Sequence, residues 1–131
     1  MSSESGVASL IGAALVAVGL VFAFLVSDVA HLVEARARLL VAADAAALAA
    51  APVTFAPFGA VGLPIAEATR FAAANGAELI ECRCPIDQSW SQRDIIVTVG
   101  GSVDLVLLGH RNIQATAAAR FRPVDLSFER P

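Results

Sequence analysis

The chain has 131 residues, 57% of them hydrophobic, and a mean hydropathy of +0.72, more apolar than an ordinary soluble domain. Its formal charge of −3 combines twelve acids with nine cations, all arginine and scattered along the chain. With no basic patch to neutralise phosphates, nucleic acid is not expected as a partner.

The dominant feature is an apolar run over 6–26 that carries no charge and no strongly polar group beyond Ser9. A bilayer core of about 30 Å needs roughly 20 apolar residues at 1.5 Å rise, so this run is long enough to span. A lone segment in lipid must satisfy its own backbone groups, which requires a helix. A cleavable secretory signal fits less well, because the start Met-Ser-Ser-Glu-Ser lacks a basic residue and the apolar run is long for one. Membrane lipid is therefore the first expected partner. Charges appear after Val26, yet strong helix formers continue and no proline intervenes before Pro52. One helix of about 45 residues and about 65 Å is expected over 6–51. The expected organisation is an N-terminal tail at 1–5, a membrane helix at 6–26, a helical stem at 27–51 and a small extracytoplasmic α+β domain at 52–131.

Within the span Ala8, Gly12, Gly19 and Ala23 share one helical face, where small residues let a second helix approach closely. That face offers a route to homo-oligomers through the N-terminal helix. In the stem, Glu34 and Arg38 form an i, i+4 pair in the favourable order. Asp28 and His31 lie one turn apart at the expected membrane surface. The alanine-rich stretch around Asp44 has little side-chain volume, so whatever packs on it comes close.

The segment 52–64 contains three prolines and two glycines and reads as a loop. Phe55 and Phe58 should fold it back onto the domain or the membrane. A second helix is expected over 64–75, with Pro64 in its first turn and Asn75-Gly76 as its C-terminal stop. Ile65, Ala68, Phe71, Ala72 and Ala74 would form its apolar side. Strands are expected at 77–84, 94–99 and 113–121 in a small antiparallel sheet. In the first, Ile80, Cys82 and Cys84 would share a side. Residues 85–93 read as a polar connection bearing Trp90, and Gly100-Gly101 reads as a break. Residues 103–108 are apolar and fit either a strand or a helical turn. In the last strand Ile113, Ala115, Ala117, Ala119 and Phe121 alternate with polar positions. A face of alanines there suits close packing on the stem. The tail 122–131 reads as extended.

No nucleophile–base constellation, phosphate loop or metal motif is readable, so an enzyme is not expected, nor any cofactor. His31 and His110 fall on different elements, and Glu78 and Glu81 read as solvated strand residues. Cys82-x-Cys84 leaves three readings open: a strained local disulfide buckled at Pro85, an intermolecular disulfide, or two reduced cysteines. A metal site would lack further ligands.

The stem ARARLLVAADAAALAAA over 35–51 resembles TadE/TadG-like pilus-assembly proteins of the tight-adherence (Flp-type) secretion machinery, with Arg38, Ala43, Asp44, Ala45 and Leu48 in the motif. RFAAANGAELIEC over 70–82 and ATAAAR over 115–120 resemble small actinobacterial TadE-like proteins of secretion gene neighbourhoods. The resemblance implies a minor pseudopilin-like, single-pass component of a type IV-related pilus or secretion system, with other pilin-like or secretion subunits as partners. It also implies a cytoplasmic N-terminus and an extracytoplasmic C-terminal domain, whereas the arginine count (Arg36 and Arg38 after the span) points the other way. Related prepilins are cut after a glycine in the place of Gly6. Here Ile11 stands where their glutamate would be, and no basic residue precedes Gly6. The alternative is a single-pass membrane adaptor whose exported domain binds another envelope protein.

Overall fold

The computed structural model describes residues 3–56 and 61–123. The expected role of Phe58 and of the tail beyond Pro123 falls outside them. The element order is α1 (Ser3–Val53), α2 (Pro64–Ala74), β1 (Glu78–Arg83), β2 (Arg93–Leu105) and β3 (Gly109–Phe121). The strands form one antiparallel sheet in the order β1-β2-β3. This is the expected α+β arrangement. The helix begins at Ser3, inside the stretch expected as a tail, and runs one residue past Pro52, which sits in its final turn. Thr54 ends it: its N–H and hydroxyl both donate to the Ala51 carbonyl, at 3.2 and 2.7 Å.

Pro64 opens α2 and Asn75-Gly76 closes it. Gly76 has φ +73°, and the N–H groups of Gly76 and Ala77 return to the carbonyls of Ala73 and Ala72 at 3.0 Å each. A left-handed residue satisfies the last orphan carbonyls in this way, and glycine adopts it without a Cβ penalty. On α2 the buried residues are Pro64, Ala68 and Ala72, with Phe71 partly buried. The expectation for Ile65 and Ala74 is corrected, since both are exposed. With alanines filling the contact with α1, only a narrow strip of α2 is covered.

One face of the sheet packs on α1. Ile95, Val97 and Val99 of β2 alternate inward, and Ala115, Ala117, Ala119 and Phe121 of β3 meet Ala42, Ala43, Ala46 and Ala50 of the stem. The alanine-on-alanine contact expected from the sequence is present. Phe55 folds back from the end of α1 and is fully buried in this core. On the outer face Thr98 and Thr116 share a 2.9 Å hydrogen bond, and Arg120 donates to Asp94 at 3.2 Å.

Two strand expectations are corrected. β2 runs straight through Gly100-Gly101, pairing with Gln114 and Ile113, so the glycines are no break. The stretch 103–108 thereby divides into the end of β2 and a turn. In β1 a bulge between Leu79 and Glu81 inserts Ile80 as an extra residue. It shifts the pleat, so Leu79 and Cys82 pack on the core while Ile80 lies outside, half exposed. Ile80 then covers Gly100, where a Cβ would come within 2.6 Å of Ile80 Cδ1.

β1 pairs only with Ile96–Gly100 of β2. Beyond Gly101 the β2–β3 hairpin continues as a two-stranded ribbon down to Leu105 and Gly109. It runs along α1 toward the apolar end of the helix.

Candidate functional site

The part of the molecule best placed for function is α1, with the contacts that fix the small domain to it. The apolar run that begins at Gly6 contains a stretch of mean hydropathy 2.7, no part of which is buried inside the fold. Among the described residues, this is the one helix long and apolar enough to cross a membrane. The stem that follows is two-faced. Leu39, Ala42, Ala43, Ala46 and Ala50 are buried in the core shared with the sheet and α2, whereas Val33, Val41 and Leu48 are 61–67% exposed on the opposite side. Ala8, Gly12, Gly19 and Ala23 are all exposed. Ala23 and Val41 are separated by five helical turns at 3.6 residues each, which puts the small residues on the outward side too. A Cβ on Gly12 or Gly19 would meet nothing within 4 Å.

A model of the Tad family, Flp pilus-assembly TadE/G-like, matches residues 6–53. The long helix is therefore similar to TadE/G-like pilus-assembly proteins. No curated protein and no solved structure matches the chain. The matched segment coincides with α1 almost from end to end, and the small α+β domain lies beyond it.

Within that segment the motif residues divide between the two faces. Ala43 is fully buried and Ala45 partly so, while Asp44 and Leu48 face outward. Arg38 is exposed and pairs with Glu34 one turn earlier. Gly6 is exposed on a continuous helix.

Asp28 is the residue whose role local reading missed. It lies two positions beyond Val26 and is only 1% exposed. The β2–β3 turn closes over it. The backbone N–H groups of Val106 and Leu107 donate to its two carboxylate oxygens at 2.7 and 2.8 Å, and that of Leu108 donates at 3.3 Å. Burial alone would raise its pKa. The N–H groups of Leu107, Val106 and Leu108, with His31 nearby, outweigh that and hold the carboxyl below its ordinary 3.8. An isolated ribbon is marginal in water, so these bonds anchor the end of the hairpin to the stem. Their sequence separation of about 80 residues leaves no local signal.

At the other end of the sheet Arg93, placed by sequence in a polar connection, is 7% exposed. Its guanidinium lies 5.7 Å from the ring centroids of both Phe55 and Phe121. It donates to the carbonyls of Thr54 at 3.4 Å and Ser91 at 3.2 Å, and also to those of Asp87 and Ser89. Asp87 N–H donates to the Thr54 carbonyl at 3.1 Å, and Trp90 packs edge-on to Phe55 with centroids 5.1 Å apart. The connection is thereby tied to the C-terminal end of α1.

Cys82 and Cys84 are joined in a disulfide with Cα atoms 5.4 Å apart. Two steps along an extended strand cover about 6.6 Å. The chain shortens because β1 ends at Arg83 and Cys84 has left the strand. His31 stands exposed on α1, and His110 pairs with Asp104 at 2.7 Å across the hairpin. Glu78 and Glu81 are exposed, and Glu81 bonds Arg83 at 2.8 Å. Among the described residues no group of acids, histidines and cysteines could hold a metal ion.

Proposed function

We infer that the chain is a non-enzymatic, membrane-anchored, pseudopilin-like component of a Flp-type pilus or related secretion assembly. The observation that carries this is the family match lying on one unbroken helix whose apolar half is left uncovered by its own domain. An uncovered apolar helix of this length belongs in lipid or against other apolar helices. Residues 6–26 cross the membrane, the N-terminus is cytoplasmic, and the domain from 52 onward is extracytoplasmic. The exposed small residues of the span and the outward stripe of the stem then face other pilin-like subunits or a second copy of this chain.

Deleting the chain should abolish or shorten surface appendages, and affinity capture from membranes should recover pilin-like or secretion subunits. Intact appendages and a dispersed monomer would remove this reading in favour of a single-pass adaptor. Mass spectrometry of the mature N-terminus bears on the same choice, because a prepilin-like route removes residues 1–6.

A further inference from the structure

The turn between β2 and β3 presents three consecutive large apolar side chains to the outside. Val106, Leu107 and Leu108 are 64%, 46% and 50% exposed. A hairpin tip in water ordinarily carries polar turn residues, and a run of three exposed apolar residues is a cost unless something covers it. The place of this tip decides what that is. Leu39 lies beside Gly101, and Asp28 lies beside Val106. From Leu39 back to Asp28 the helix descends about 16 Å. From Gly101 to Val106 the strand covers about 17 Å. The ribbon therefore runs parallel to α1 toward the span, and its tip stops level with Asp28, about 3 Å along the axis from the last apolar residue Val26. Immediately behind the tip the ribbon turns polar, with the exposed Asp104–His110 pair and then Arg111 and Asn112. Apolar residues leading and polar ones trailing is the profile of an element that rests in the boundary between acyl chains and headgroups.

We propose that Val106, Leu107 and Leu108 form a second membrane contact, seated in the interfacial layer of the bilayer that residues 6–26 cross, with Asp28 clamping the tip at that depth. The inference rests on the anchored reading of α1 given above. The clamp satisfies the turn's backbone N–H groups before they meet lipid, where an unpaired donor is costly. Two attachments, one spanning and one interfacial, fix the tilt and rotation of the stem, and so which face of the helix other subunits meet.

Depth-dependent fluorescence quenching tests this on the full chain in phosphatidylcholine vesicles, with brominated acyl chains as the quencher. In a Trp90→Phe background, single tryptophans are introduced as Leu107→Trp or Leu108→Trp at the tip, Leu15→Trp in the span and Leu48→Trp in the stem. The expected result is strong quenching of both tip variants by bromines near the headgroup and weaker quenching by deep ones, with a blue-shifted emission. Leu15→Trp should respond most to deep bromines, and Leu48→Trp to none. A quenched Leu15→Trp with unquenched tip variants overturns the proposal while leaving the anchor intact. Tip variants shielded from both bromolipid and aqueous acrylamide also overturn it, because protein then covers the tip. An unquenched Leu15→Trp removes the anchor itself, and the proposal with it.

Discussion

Leu39 of the stem lies so close over Gly101 of β2 that a Cβ on that glycine would stand 3.1 Å from Leu39 Cδ2. On the opposite face Ile80 covers the neighbouring Gly100, where a Cβ would stand 2.6 Å from Ile80 Cδ1. The paired glycines thus let the strand be approached from both sides at once. Gly101→Val should destabilise the domain by about 1–3 kcal/mol through overpacking. Adding Leu39→Ala should recover part of that loss, because it removes the atoms the new side chain meets. Thermal unfolding of the detergent-solubilised chain, followed by Trp90 fluorescence, measures both. If Gly101→Val were neutral, the stem would not lie this close to the sheet.

Arg93 is a bracket for backbone carbonyls. Among the described residues its carboxylate partner is Asp87, 3.9 Å away and partly exposed, so the ion pair itself contributes little. The guanidinium fork instead reaches four carbonyls at separate points, which the single ammonium of lysine cannot span. Arg93→Lys should therefore cost about 1.5–3 kcal/mol, the range for hydrogen bonds to a charged group. Asp87→Asn should have much the smaller effect. Equal losses for the two variants would mean that the charge pair holds the connection. Trp90, packed on Phe55 beside this bracket, reports the change directly in its emission.

What the sequence makes legible here follows from what is local. The long helix, the Pro64 start and Gly76 stop of α2, and the inward alternation of Ile113 to Phe121 each depend on neighbours within a few residues. All are present in the structure. Gly100-Gly101 reads as a break because glycine is a punctuator in isolation. Its reason here is the approach of Leu39 and Ile80, which only the tertiary arrangement supplies. The side reversal of Ile80 comes from a bulge, one residue of slippage that flips the pleat and leaves no mark in an apolar run. Asp28 and Arg93 were the least legible. Each looks like an ordinary polar residue on its own element, and its partners come from backbone groups that sequence patterns do not show.

The Asp28 clamp should be pH-sensitive in a defined direction. Its folded pKa lies below the ordinary 3.8, so the folded state favours the carboxylate. The stabilisation is fully present above that ordinary value and is lost as pH falls through the lower folded value. Hydrogen-exchange protection of the Val106 and Leu107 amides should fall across this acid window, while the central β2 amides stay protected. Asp28→Asn should weaken tip protection at neutral pH and remove its acid dependence, since an amide cannot present two acceptor oxygens to three N–H donors. Tip protection that is unchanged in this variant would show that the hairpin is held by other contacts.

The Cys82–Cys84 bond encloses a single residue, so it restricts the unfolded chain very little. The loop-closure relation gives about 1–2 kcal/mol for so short a ring. β1 is held independently by its pairing with β2 and by Leu79 and Cys82 against the core. Cys82→Ser with Cys84→Ser should accordingly lower the unfolding midpoint modestly and leave the sheet formed. A collapse of β1 protection would assign the bond a larger part in shaping the turn at Pro85. The same pair also tests the proposed orientation, because disulfides persist outside the reducing cytoplasm. Alkylation of membranes without prior reduction should leave both cysteines unmodified, and alkylation after reduction should label both. Cysteines that are free before reduction would place the domain on the cytoplasmic side, the orientation favoured by Arg36 and Arg38 and opposite to the one proposed.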